Sequence, residues 1–331
     1  SAVAASEADA QASAASLSNV QVSLAAEVAV NYISLRSQQA RWVIAQNNLS
    51  AQQETLQITR WRAQAGLASS LDVEQSIGTV EQTRAQLPVL QSSASQTMNA
   101  LAVLTGQTPG ALHAQLSAAA PIPQAPADLA LAFPAETLRQ RPDVRAAELR
   151  VSGALARVAV ADAARYPSFR LGGSLDLSAL TLGTLTNGAS LLKSLLASAS
   201  VPLWDGGARS AQLRSQEAAL EQAQASYQAA VLTALQEVED ALAGLSGDSE
   251  RLVRLQSAAS AAVNAELLAR QRYQSGLIDF ATLLTTQRTL LSAQDSVASA
   301  QASLSTGHVK LYKALGGGWT PAPAPPLRAG R

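Results

Sequence analysis

Chemistry needs reactive side chains in convergent sets, and this sequence of 331 residues supplies few. It contains no cysteine, which excludes thiolate metal sites, disulfides and cysteine nucleophiles. Its two histidines, His113 and His308, leave little for a metal cluster or a triad. General acid–base work needs two carboxylates converging in a pocket. The densest acidic cluster is Glu237, Glu239 and Asp240. On a helix these diverge, because each residue turns the side chain by about 100°. Glu237 and Asp240, three apart, read as solvated or as partners of a nearby arginine. His308 continues a stripe of Gln287, Gln294 and Gln301, and reads as a wet surface residue. Gly316-Gly317-Gly318 is no phosphate loop, because it follows a helical segment instead of preceding one. In Arg141-Pro142-Asp143-Val144 the proline suits a first-turn position and the aspartate the positive end of a helix. No catalytic, cofactor-binding or metal site is expected.

Charge points away from nucleic acid as well. Twenty-four Lys and Arg against 24 Asp and Glu leave a net charge of zero, with no basic footprint for phosphates. Only 15% of residues are charged and 4% aromatic, while 47% are apolar, much of it alanine. Small side chains at that density predict thin, closely packed helices instead of a thick core. No run of eighteen apolar residues occurs, so a transmembrane helix is not expected. The chain begins Ser-Ala-Val-Ala, without an initiator methionine, signal peptide or lipidation cysteine, which reads as a start inside a helix.

The elements that must position any site come from an internal duplication. Arg60–Leu67 (RWRAQAGL) matches Arg270–Leu277 (RQRYQSGL) at an offset of 276 − 66 = 210. The same offset relates Glu27 to Glu237, Arg41 to Arg251, Leu101 to Leu311 and Gly106 to Gly316, and 19 of the 80 ungapped pairs from residue 27 are identical. Alanine, serine and glutamine inflate that count, so the coincident charged and glycine positions carry the argument. A period of 210 residues means a duplicated helical hairpin, not a solenoid. Val231, Leu235, Val238, Leu242 and Leu245 form a heptad seam, and Leu283, Leu290, Val297, Leu304 and Leu311 fall seven apart. The offset carries the latter to Val73, Val80, Leu87, Ala94 and Leu101. Gly66 and Gly276 suit left-handed residues closing a helix, after which Ser69 or Ser70, and Asp279, can cap the next. Pro88 is expected to kink its arm. A helix from Arg209 to about Arg272 would extend roughly 95 Å, longer than any compact domain needs.

Between the two halves the period changes. Residues 107–142 are punctuated by proline and read as a connector with one or two short helices, followed by a helix over 143–165. Phe169, Leu171, Leu175 and Leu177 then alternate with Arg170, Gly172, Ser174, Asp176 and Ser178, while Leu195, Ala197, Ala199, Val201 and Leu203 alternate with Leu196, Ser198, Ser200 and Pro202. Two segments of about ten residues, joined by a loop rich in Gly, Thr, Asn and Ser, have the length and dyad of membrane barrel strands. A soluble sheet with one wet face has the same dyad. A hairpin alone is not stable, so it must join other strands.

At RPDVRAAE (Arg141–Glu148), YPSF (Tyr166–Phe169), VPLWDGG (Val201–Gly207) and LYKALGGGW (Leu311–Trp319) the chain resembles TolC/OprM-type outer membrane factors, and more narrowly their NodT-like branch. The resemblance covers essentially 1–319. It implies a mainly α fold with a small β part: long antiparallel coiled-coil helices of an α-barrel tunnel, plus a β-hairpin contributing to a trimeric outer membrane β-barrel. The segments expected are a first long hairpin (1–106, turn near Gly66), the connector (107–142), a helix leading to the barrel (143–165), the barrel hairpin (166–206), a second long hairpin (207–316, turn near Gly276) and a tail (317–331). Relative to that family, the first strand pair, the first helix and a lipid-anchoring N-terminus are expected to be missing.

The resemblance also implies partners and sites. The expected partners are two further copies in a homotrimer, a periplasmic membrane-fusion adaptor, an inner membrane resistance–nodulation–division transporter and outer membrane lipid, with no cofactor and no nucleic acid. The glycine turns would be the periplasmic tips that bind the adaptor: Gly66, Leu67, Ala68 and Ser69, and Gly276, Leu277, Ile278 and Asp279. Arg60, Arg62, Arg270 and Arg272 on one arm, with Asp72 and Glu74 on the next, would form a latch of salt bridges closing the tunnel. Relatives carry Asp nine, and some six, positions after the second glycine. Thr285 and Thr282 stand there in this chain, giving an aperture lined by hydroxyls. The expected function is a passive outer membrane exit duct of a tripartite efflux pump. A type I protein secretion duct has the same fold, and a soluble coiled-coil scaffold is the rival from another class.

Overall fold

A computed structural model of the chain describes residues 2–125, 140–177, 191–201 and 204–317. The elements run α1 (Ala2–Gln64), α2 (Ser70–Leu104), α3 (His113–Leu116), α4 (Pro142–Ala163), β1 (Ser168–Leu177), β2 (Leu191–Ser200), α5 (Ala208–Gln274) and α6 (Phe280–Ala314). The fold is thus mainly helical with one small sheet. No described helix is long and apolar enough to cross a membrane, which says nothing of strands. By packing, the chain divides into two compact units, Ser1–Leu17 with Pro142–Leu232 and Ser18–Arg141 with Thr233–Arg331.

The duplication holds to the residue. Adding 210 to the ends of α2 gives those of α6, and adding it to the last residue of α1 gives the last of α5. Both glycine turns close identically. Leu67 N–H donates to Arg62 C=O and Gly66 N–H to Ala63 C=O; Leu277 donates to Arg272 and Gly276 to Tyr273, at the same 2.8 and 3.0 Å. This is the paired-bond helix ending that needs a left-handed residue, and Gly66 and Gly276 supply φ of 72° and 78°. Helix α2 runs through Pro88 as one helix. Pro88 is exposed, so its missing donor is lost on the side open to water.

In the first unit, Ala12 and Ala15 of α1 pack on Ala146 and Leu149 of α4. The approach is close enough that a Cβ on Gly153 would meet Asp9 Oδ1 at 3.1 Å and Ala8 Cβ at 3.5 Å. Alanine-rich helices gain their contacts through such short separations. Arg157 pairs with Asp9 beside this seam. The strands of this unit pair antiparallel, from Ser168 opposite Ser200 to Leu177 opposite Leu191. The second strand therefore begins at Leu191 and ends at Ser200, not at 195–203 as the alternation alone indicates. Ten-to-ten pairing with β1, not side-chain pattern, sets its bounds. Residues 178–190, where the intervening loop falls, lie outside those described, as do 126–139 of the connector and 318–331.

In the second unit, Leu35, Ala94, Met98 and Leu101 join α1 to α2, with Leu112 and Leu116 of the connector against them. Ala269, Tyr273, Phe280, Leu283 and Leu284 join α5 to α6, with Ile58 of α1 added. Leu283 and Leu311 of the heptad seam are fully buried, whereas Leu235 remains exposed.

Candidate functional site

The hairpin turns present both features that a tip needs, rigid backbone and uncovered apolar side chains. Ser69, not Ser70, is the N-cap of α2. Its hydroxyl accepts from Asp72 N–H at 3.1 Å, while the Asp72 carboxylate accepts from Ser69 N–H at 3.0 Å. In the second turn Asp279 is the N-cap and accepts from Thr282 N–H at 2.9 Å. Residues 69 and 279, and 72 and 282, are repeat equivalents, so carboxylate and hydroxyl have exchanged places while the cap survives. Hydrogen bonds from Thr282, side chain then backbone, hold the Asp279 carboxyl below the ordinary aspartate range. Between Schellman-type ending and cap, Leu67 and Leu277 stand 68% and 74% exposed, with Trp61 and Leu71 also exposed nearby. Ala68 and Ile278 are half-buried.

The arginines reach across from one hairpin to the other. Arg62 Nη1 donates to the carbonyl oxygens of Tyr273 at 2.5 Å and Gln274 at 3.4 Å, and its guanidinium lies 4.7 Å above the Tyr273 ring. It therefore caps the negative end of α5 from α1. Arg270 lies 3.9 Å from both Glu54 and Glu266. Among the described residues no ion pair joins Arg60, Arg62, Arg270 or Arg272 to Asp72, Glu74 or Asp279. Asp72 and Asp279 are engaged three residues away in their own caps, contacts that need no loop closure. Thr282 and Thr285 are exposed, and Thr285 Oγ1 donates back to Ala281 C=O at 2.8 Å.

A polar seam that the sequence reading missed runs from the tip along α1 and α6. Arg41 makes a two-pronged pair with Asp295 at 2.6 and 3.1 Å. Asn48 donates to Gln294 at 2.9 Å, and Gln287 to Thr55 at 2.9 Å. Thr59, fully buried, spends its proton on Thr55 C=O, so the Tyr273 hydroxyl donates to it at 3.2 Å. Gln287 is 5% exposed, so the glutamine stripe is not the wet flank expected. His308 is likewise half-buried, with Nδ1 enclosed. The available signal was on the partner helix, where Arg41, Asn48, Thr55 and Arg62 are themselves seven apart. Glu237 pairs with buried Arg141 at 2.6 Å, and Arg141 also donates to Ala314 C=O at 2.7 Å. Arg141 thereby ties Glu237 of α5 to the end of α6.

The sheet is a second candidate surface. Phe169, Leu171 and Leu195 lie on one face with Ala197 and Ala199 opposite, and all are exposed. Arg170, Ser174, Ser194 and Ser198 lie on the other, where the Ser174 and Ser194 hydroxyls meet at 2.9 Å. Leu192 and Leu196, which fall on the serine face by register, and Lys193, which falls on the leucine face, depart from the dyad.

Duplicated long helical hairpins with a strand pair between them in sequence are the architecture of outer membrane efflux channels. The chain belongs to the outer membrane efflux protein family, whose model matches residues 1–107 and 133–317. It is 32% identical over 311 residues to the probable efflux pump outer membrane protein SepC of Pseudomonas putida, covering 94% of this chain and 64% of that protein. It is 31% identical to the outer membrane protein OprJ of Pseudomonas aeruginosa over 306 residues, covering 90% and 62%. The chain thus spans somewhat less than two thirds of the length of these relatives. Among solved structures it resembles the outer-membrane channel OprN with a TM-score of 0.89 and 37% identity, covering 96% of this chain and 71% of that one. It also resembles VceC of Vibrio cholerae, with a TM-score of 0.84 and 25% identity over 95% and 74%.

Proposed function

We propose that this chain is the larger part of a passive outer membrane exit duct of a tripartite efflux pump. The observation that carries the reading is the hairpin β1–β2, where Phe169, Leu171, Leu195, Ala197 and Ala199 are exposed on one face opposite Ser174, Ser194 and Ser198 on the other. Such a sheet is stable only when lipid covers one side and its edges find further strands. The helical hairpins supply the periplasmic tunnel, and their tips, with Leu67 and Leu277 uncovered beside rigid glycine turns, dock the adaptor. The protein works as a homotrimer with a membrane-fusion adaptor and a resistance–nodulation–division transporter. It binds no cofactor and catalyses nothing, energy coming from the inner membrane partner. An N-terminal lipid anchor belongs to the same reading. Membership of a family that includes proteins named for efflux favours small molecules over secreted proteins as cargo.

The test is complementation with the full-length protein, co-expressed with an adaptor and pump in cells lacking their own duct. Recovery in the outer membrane fraction with restored drug resistance is expected. Recovery in the soluble fraction would support the scaffold instead.

A further inference from the structure

A groove of about 770 Å³ lies in the second unit, between α1, α2 and the start of the connector. Volumes of this order hold small ligands. Gln38 and Trp42, four residues apart, supply the α1 wall, and Pro88, Gln91, Ser92 and Ser95 line the α2 wall. Ala94 and Met98, buried against Leu35, form the floor. The connector is tied to α1, since Gln39 Nε2 donates to Leu116 C=O at 2.8 Å and Arg36 Nη1 to Ala118 C=O at 2.7 Å. It also touches α2, where His113 Nε2 lies 3.4 Å from Ser95 Oγ. Gln38 is fixed in turn, its Oε1 accepting from Thr97 Oγ1 at 3.1 Å. The walls are thus set before a ligand arrives, which lowers the ordering cost of binding.

What these walls offer is neutral. Among the described residues lining the groove there is no Asp, Glu, Lys or Arg. Trp42 is 38% exposed, and Gln91, Ser92 and Gln96 are exposed as well. The duplicated scaffold does not demand such side chains. At the offset of 210, Trp42, Pro88 and Ser92 correspond to Leu252, Ala298 and Ala302. The other half of the molecule packs its helices with aliphatic groups at these places.

We infer that this groove binds a neutral glycan built of N-acetylated hexosamines. A pyranose ring carries C–H bonds on its face and hydroxyls at its rim. The face lies on the indole of Trp42, a large apolar surface with one polar edge. The rim meets Gln91, Ser92 and Gln96, whose amides and hydroxyl can each donate and accept. An acetamido group adds a methyl for the floor of Ala94 and Met98. Acidic sugars would find no cation in this lining. The site goes beyond the duct reading and does not depend on it.

The test is a titration of full-length protein, held in a detergent without a sugar headgroup, with tetra-N-acetylchitotetraose. Calorimetry and tryptophan emission follow binding, and maltotetraose is the comparison sugar. Saturable binding of the acetylated sugar is expected, with a blue shift of emission that Trp42→Phe abolishes. Trp42→Ala should weaken binding about tenfold and Gln96→Ala about fivefold. Circular dichroism checks the helices, and Gln96→Ala decides if Trp42→Ala loses them. Absence of saturable binding at millimolar sugar overturns the site, as does an affinity that Gln96→Ala and a folded Trp42→Ala leave unchanged. Equal affinity for maltotetraose overturns the acetylated class.

Discussion

Arg62 is a residue whose role depends on a contact absent from its repeat equivalent. Arg272 occupies the matching place, but the residue matching Tyr273 is Ala63, so no ring lies across from it. The ring contact and the charge-assisted bond to a helix end together amount to about 2 kcal/mol. Arg62→Ala is expected to lower the opening free energy of the Ser275–Leu277 amides by that amount, with Arg62→Lys losing part of it. Hydrogen exchange at those amides checks this, and unchanged protection would remove Arg62 from the tip. Thr285 poses the opposite case, a role written by what is missing. In the proposed trimeric duct, three carboxylates at this level would attract cations, whereas three hydroxyls would leave the mouth neutral. In bilayer recordings of full-length protein, Thr285→Asp is expected to raise both cation selectivity and block by divalent ions. If neither moves, Thr285 does not line the aperture. Residue type marked both positions in the sequence. It could not show Arg62 reaching carbonyls of another hairpin, because backbone acceptors carry no signature.

At the scale of elements, turns were more legible than faces. Gly66 and Gly276 announce a left-handed ending because only glycine lacks the Cβ that clashes there. A Cβ on Gly276 would meet nothing closer than Arg62 Nη2 at 3.7 Å, so the cost of replacement lies in the backbone. Gly276→Val is expected to lose about 1 kcal/mol or more, read as a lower denaturant midpoint and, in cells, as drug susceptibility at normal protein level. Unchanged resistance would mean the turn tolerates other geometries. The caps add a pH dependence. Asp279 has a lowered carboxyl pKa when folded, so its stabilisation is complete above the ordinary value of 3.8 and disappears as pH falls through the lower folded value. The difference in denaturant midpoint between wild type and Asp279→Asn should therefore close as pH drops below 3.8. A difference constant across that range would show that the ionised carboxylate is not the cap. The glutamine stripe was misread because polarity was taken for exposure. Two helices with polar residues at matched heptad positions can bury both sets, and only their pairing reveals it.

For the whole molecule, the repeat and the change of period were enough to indicate two hairpins and a strand pair. The bounds of β2 were not, because a strand with small residues on both faces takes its limits from its partner. The hairpin also limits what 331 residues can do. Its two strands, those found among the described residues, leave ladder edges that hydrocarbon does not tolerate unpaired. The chain alone is expected to give no uniform conductance in a lipid bilayer. Stable, repeatable channel recordings from it would defeat that expectation.

The twin turns have a consequence for how the chain acquires its structure. Every bond that closes them spans three to five residues, from Leu67 to Arg62 and from Thr282 to Asp279. Loop closure over such distances takes tens of nanoseconds and costs little entropy, whereas Arg41 must find Asp295 across more than 250 positions. Folding thus has two independent local nuclei, each able to zip its arms before the other has formed. The polar seam between α1 and α6 is expected to form last, its heptad rungs setting the register in which the two hairpins meet.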